Sequence, residues 1–127
     1  MVEYTTRRYE LTTFVPSGSS IASYRFPTIV ENNKRLIPVS YVIEAVWFKT
    51  YPDTTLTYFE IYDKNPLNAD IRNLLYRVES ANEWYEPLSG SEIRGAGDKM
   101  YFRVDPTTSA VHIRLLVQVV YEVREVG

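Results

Sequence analysis

The sequence predicts an all-β, single-domain antiparallel sandwich or barrel with at most one short helix, and three observations carry that prediction. The first is the run AVHIRLLVQVVYEVREV at 110–126. Val111, Ile113, Leu115, Val117, Val119, Tyr121 and Val123 share one parity, while His112, Arg114, Gln118, Glu122 and Arg124 share the other. Period two belongs to a strand with one face on a core, as in antiparallel sheets. The second is the eleven tyrosines, most of them beside threonine and valine, which fit a pleated, half-buried surface. The third is the spacing of turn residues, which divides the chain into about seven or eight strands, the pattern of a sandwich or barrel.

The elements follow in order. Met1 to Arg8 reads as a polar N-terminal arm, leaving 9–127 as the domain. RRYELTTFV from Arg7 to Val15 alternates and makes a first strand, ended by the turn chemistry of Pro16, Ser17, Gly18, Ser19 and Ser20. Ile21 to Phe26 is a short second strand stopped by Pro27, which cannot donate to a ladder. Ile29 and Val30 run into an exposed loop, Glu31 to Arg35, and Pro38 fixes the entry to the next strand. Val39 to Lys49 is apolar on both parities; a helix fits such a run, but its β-branched and aromatic residues favour a central strand. After the turn at Tyr51 to Thr54, Leu56 to Asp63 is expected to pair with it across a hairpin-length loop.

Between Lys64 and Val78, Asn68 is placed to cap a short helix with Ile71, Leu74, Leu75 and Val78 at helical spacing. An irregular connection ending in a strand from Leu74 to Val78 fits the same residues. Glu79 to Gly97 carries Pro87, Gly90, Gly95 and Gly97, with a short strand expected near Trp84 to Leu88. Lys99 to Val104 is a strand, Asp105 to Ser109 a turn, and the 110–126 strand its expected hairpin partner.

Composition excludes several classes of function. At 127 residues one core is large enough to hold the fold without staples. The absence of cysteine removes disulfides, thiolate metal sites and cysteine nucleophiles. Fourteen basic and sixteen acidic residues leave a formal charge of -2, so no basic field points to nucleic acid or an anionic membrane. The opening MVEYTTRRYELTTF has no apolar signal core, and no run has bilayer-spanning length.

The strand Tyr9 to Val15, the turn Pro16 to Gly18 and the step Ile21 to Ser23, together with Gly97 to Val104 leading by a turn into the final strand, form a pattern at the two ends of the chain. In these residues the chain resembles small virion proteins of tailed phages and archaeal viruses. The resemblance implies a jelly-roll-like sandwich that serves in the virion as a capsid decoration, tail or fibre component, assembled in the host cytoplasm. It implies partners of two kinds, copies of the chain itself and a capsid or tail protein; no cofactor is expected, and, with a single histidine lacking local partners and no cysteine, no enzymatic activity.

Candidate contact residues come from the patterning. Leu116 and Val120 break the polar parity of the last strand, and Arg7, Arg8 and Tyr9 begin the first; together they are the expected interface, with the arm clasping a neighbour. The alternative reading is a carbohydrate-binding module in which Trp84 and Tyr85, beside Glu83 and Glu86, stack on sugar rings, an analogy from fold. Against it, a large aromatic such as Trp84 more often plugs the end of a sandwich. His112, the single histidine, has no nucleophile turn near it and reads as solvated or subunit-facing. Asp63, Asn65, Asn68 and Asp70 offer oxygens to calcium but not at EF-hand spacing, so a solvated, capped loop is expected. Gly95, Ala96 and Gly97 lack the lysine and helix of a phosphate loop and read as a turn.

Overall fold

The structure, a computed structural model, describes residues 2–88, 93–105 and 108–126. Its strands are β1 (Glu3–Val15), β2 (Ile21–Arg25), β3 (Ile29–Glu31), β4 (Lys34–Tyr51), β5 (Leu56–Tyr62), β6 (Leu74–Ala81), β7 (Glu83–Pro87), β8 (Ile93–Ala96), β9 (Lys99–Val104) and β10 (Ala110–Glu125). They form two antiparallel sheets of a jelly-roll-like sandwich. In the first sheet β10 lies between β1 and β4, and the far side of β4 carries the short strands β3, β8 and β7 in succession. The second sheet runs β2, β9, β5, β6.

The odd parity of β10 is the core face, as its alternation predicts: Val111, Ile113, Leu115, Val117, Val119 and Tyr121 are all buried. Tyr41, Ile43, Val46 and Phe48 of β4 extend that layer, and Phe59, Ile61, Phe102 and Val104 close it from the second sheet. Phe48 and Phe59 stack across the sandwich with ring centroids 4.3 Å apart.

Five expectations are corrected. Residues 3–8 are no free arm: they are the first half of β1, paired with β10 from Glu3 opposite Val123 onward. Glu31 to Arg35 is no open loop, because Asn32 and Asn33 take φ of 50° and 60° and turn β3 tightly into β4, the left-handed pair that a two-residue hairpin requires. Strand β4 therefore starts before Pro38, which sits at a register shift opposite Tyr121, where a missing N–H is tolerated. β5 does not pair with β4, nor β9 with β10; each of these connections crosses from one sheet to the other. Residues 52–55 suffice for the first crossing, since a few extended residues span the roughly 10 Å between packed sheets. Of the two readings of 64–78, the irregular connection ending in a strand at Leu74 is the one found, with Asp70 rather than Asn68 capping a single 3-10 turn (Ile71–Asn73) before β6. Ile71 is 80% exposed, so its spacing from Leu74 and Leu75 marks no helical face.

The oxygen cluster stitches this loop together. Asp63 accepts from the Asn73 side-chain amide at 3.0 Å and from the Ala96 N–H at 2.9 Å, while Asn65 accepts from the Leu67 N–H. The expected turn at 95–97 is part strand, with Gly95 and Ala96 in β8, and part turn, with Gly97 at φ 86°.

Candidate functional site

The solvent-facing side of the first sheet is built from residues that the register sets in rows. Phe14 lies opposite His112, and His112 opposite Lys49, which faces Glu83; the next row runs Thr12, Arg114, Trp47, Tyr85, and the one after it Glu10, Leu116, Ala45, Pro87. Directly opposed residues in a sheet point to the same side. The face thus collects large apolar groups that no described residue covers: Phe14 is 53% exposed, Tyr51 47%, Tyr85 62% and Leu116 45%.

These side chains hold one another. His112 stacks on Phe14 at 6.2 Å between centroids and meets the Tyr51 ring edge-on at 4.8 Å. The Arg114 guanidinium lies over the Trp47 ring at 5.2 Å, and the Lys49 ammonium over Tyr51 at the same distance, cation–π contacts worth about 0.5–1 kcal/mol each when exposed. Three cations of the face have carboxylate partners: Arg8 with Glu44 at 3.2 Å, Arg114 with Glu10 at 3.6 Å and Lys49 with Glu83 at 3.9 Å. Exposed pairs of this kind add little stability, but each sets a positive charge beside a negative one.

Two shallow grooves cross it. One, of about 400 Å³, is lined by Thr12, Trp47, Tyr51, His112 and Arg114. The other, of about 410 Å³, runs beside Arg8, Glu10, Glu44, Tyr85, Pro87 and Leu116.

The outer side of the second sheet is different in kind. Tyr58 lies between Arg77 and Arg103, whose guanidinium carbons are 5.2 and 5.6 Å from its ring centre. Glu60, 4% exposed, accepts from the Tyr62 hydroxyl and from Arg77. Its polar groups serve each other rather than a partner.

Of the sequence-predicted contact residues, Arg8, Leu116 and Val120 share the outer face of the first sheet. Arg7 and Tyr9 do not. They have the opposite parity on β1: Arg7 is ion-paired with Glu31, and the hydroxyls of Tyr9 and Tyr121 are 2.5 Å apart. Burial and that hydrogen bond push the Tyr121 phenol well above its ordinary pKa.

Trp84 and Tyr85 are likewise separated, which corrects their reading as one stacking platform. Trp84 lies opposite the buried Phe48 and Tyr85 opposite Trp47, so the two rings leave β7 on opposite sides. The Trp84 indole N–H donates to the Tyr76 hydroxyl at 2.7 Å, and that hydroxyl donates to Glu86. Trp84 thus faces the inner side of β7 and is tied to β6 through Tyr76, while remaining 38% exposed. His112 has aromatic neighbours and is exposed.

Phe14, Trp47 and Tyr51 were not singled out by the sequence pattern. Phe14 shares the parity of Arg8 on β1 and was within reach of it. Trp47 was not, because Glu44 is an extra residue between Ile43, opposite Val117, and Ala45, opposite Leu116. That bulge inverts the parity of β4 and turns Trp47 outward.

No protein-family model matches the chain, and no curated protein matches it in sequence. Solved structures align with it distantly. A Bacillus endospore appendage protein, from disulfide-linked pili, aligns with TM-score 0.47 and 8% identity over 96% of this chain and 90% of that one. The Drosophila NLP core, described by its pentamer formation and histone binding, aligns with TM-score 0.44 and 9% identity over 85% of this chain and 96% of that one. The major capsid protein P2 of bacteriophage PM2 aligns with TM-score 0.41 and 14% identity, over 92% of this chain and 45% of that one.

Proposed function

We propose that this protein is a non-enzymatic structural subunit of a virion, a capsid decoration, tail or fibre component, that associates with copies of itself through the outer face of its first sheet. The observation that carries the reading is the contrast between the two outer faces. The first sheet leaves Phe14, Tyr51, Tyr85 and Leu116 between 45% and 62% exposed around Trp47, the aromatic composition of an interface core. The second sheet's outer face keeps its arginines and Glu60 in contacts of its own. The paired charges of the first face suit a protein surface better than a polyanion. The resemblance of the chain ends to small virion proteins supplies the class of assembly.

Leu116→Glu tests this, because Leu116 is half exposed and central, so a carboxylate there leaves the core untouched. Light scattering of the wild-type protein is expected to give masses above two chains that rise with concentration, and the variant is expected to lose them. Equal masses for the two proteins would overturn the reading.

A second reading has one observation in its favour. Tyr85 and Trp47 stand side by side across β7 and β4 and line, with Glu10, a hollow of about 210 Å³, an arrangement that can stack a sugar ring and accept its hydroxyls. A carbohydrate-binding role would then use Tyr85 with Trp47 in place of Trp84. Saturable quenching of tryptophan fluorescence by soluble oligosaccharides, lost in Trp47→Phe/Tyr85→Ala, would favour it.

A further inference from the structure

We infer that two copies of this chain join edge to edge through β1, antiparallel about a twofold axis at Tyr9, to make one continuous sheet. The inference rests on the reading of the protein as a self-associating subunit and names the contact.

The first observation is an open edge. Among the described residues β1 pairs only with β10, so one side of a thirteen-residue strand presents unpaired N–H and C=O groups. Proteins usually blunt such edges with short strands, proline, bulges or inward charge. The other edges here are blunted. β3, β8 and β7 have three, four and five residues, and β7 ends in Pro87; β2 has five; β6 carries Ser80 at φ 56°. β1 contains no proline or glycine, its register with β10 has no shift from Glu3 to Val15, and its inward-parity Arg7 is neutralised by Glu31 of the same chain.

The second observation is that β1 is self-complementary. Read antiparallel to itself about Tyr9, the segment YTTRRYELTTF sets Arg8 opposite Glu10, Thr6 opposite Thr12, Thr5 opposite Thr13 and Tyr4 opposite Phe14. Each of these is a favourable cross-strand pair, whereas like charges directly opposite are destabilising. The neighbouring registers that keep the same faces aligned fail on this ground. Centring on Arg8 places two arginines on the axis, and centring on Glu10 places two glutamates there.

Geometry agrees with the charge pattern. Residues paired about Tyr9 have equal parity, so both outer faces of the first sheet fall on one side of the joined sheet. The Arg8 and Glu10 side chains are 74% and 56% exposed and already have partners in their own chain, Glu44 and Arg114. Across the axis they extend into an alternating row, Arg114, Glu10, then the second copy's Arg8 and Glu44. An isologous contact of this kind closes on itself, and it doubles the aromatic face that the proposed assembly uses.

The test is a charge swap split between two chains. Arg8→Glu alone would oppose two glutamate pairs in the dimer, and Glu10→Arg alone two arginine pairs, so each variant is expected to sediment as a monomer when Leu116→Glu is also present to remove face association. Mixed, they place opposite charges at both positions, and a one-to-one heterodimer is expected. Changes within each chain cannot produce that rescue. Because the wild-type chain has no cysteine, a second test reads the register directly. Thr6→Cys/Thr12→Cys is expected to form an interchain disulfide on mild oxidation, since opposed Cα atoms 4.5–5.5 Å apart suit that bond, and neither single variant is expected to do so. Failure of the mixture to exceed monomer mass, or cross-linking by a single variant as readily as by the double, would overturn the β1 contact. Those outcomes with Leu116-dependent association intact would leave the face reading standing; a β1 dimer whose mass Leu116→Glu does not change would overturn the face reading alone.

Discussion

Trp84 and Tyr85 are neighbours in the chain with opposite duties, and substitutions should separate them. Trp84 leaves β7 on its inner side and donates to Tyr76, so Trp84→Ala is expected to cost about 1–3 kcal/mol in chemical denaturation while leaving association unchanged. Tyr85 is 62% exposed, so Tyr85→Ala should leave stability within about 0.5 kcal/mol and weaken association. The reverse assignment of effects would contradict their placement on the two sides of β7. The buried phenols of Tyr41, Tyr76 and Tyr121 are the other residue-scale determinant. Burial first, then hydrogen bonding or nearby charge, raises all three above their ordinary value of 10.0. A raised folded-state pKa means that the folded protein holds protons the unfolded chain releases. Stability is therefore full below pH 10 and declines as pH rises beyond it. Melting temperature measured from pH 7 to 11 should be flat and then fall; no fall above pH 10 would contradict the burial of these hydroxyls.

At the scale of elements, β4 shows where local patterning succeeds and where it stops. Its apolar, β-branched and aromatic content made it legible as a central strand, and the alternation of β10 gave the core face residue by residue. The bulge at Glu44 was not legible, because nothing in the residues around it distinguishes an extra residue from a regular one, and so Trp47 was lost from the candidate face. The partners of β5 and β9 were not legible either, because a short connection limits distance and leaves the choice of sheet open. Residues 3–8 failed for a third reason: their polar side chains describe an edge strand as well as a free arm, and only the pairing with β10 decides. Tight packing between elements is a further property invisible in sequence. A Cβ built at Gly95 of β8 would overlap the ring of Tyr41, which is fully buried and donates its hydroxyl to the Lys99 carbonyl at 3.0 Å. Gly95→Ala is thus expected to destabilise by about 1–3 kcal/mol in urea unfolding, and a neutral result would show that the ring can move aside.

For the whole molecule, the fold class came from periodicity, whereas the proposed docking face came from comparing two surfaces that only the assembled sandwich possesses. One outer face sets Tyr58 among arginines beside a buried glutamate; the other leaves Phe14, Tyr51, Tyr85 and Leu116 exposed among the described residues, and it adjoins the long, regular edge of β1. A subunit with both features on one sheet is expected to associate. The solution mass of the unmodified protein, followed by light scattering over a wide concentration range, tests this most directly. The account predicts at least two chains per particle throughout the accessible range, with larger assemblies as concentration rises. A particle of a single chain at the highest concentration reached would contradict it.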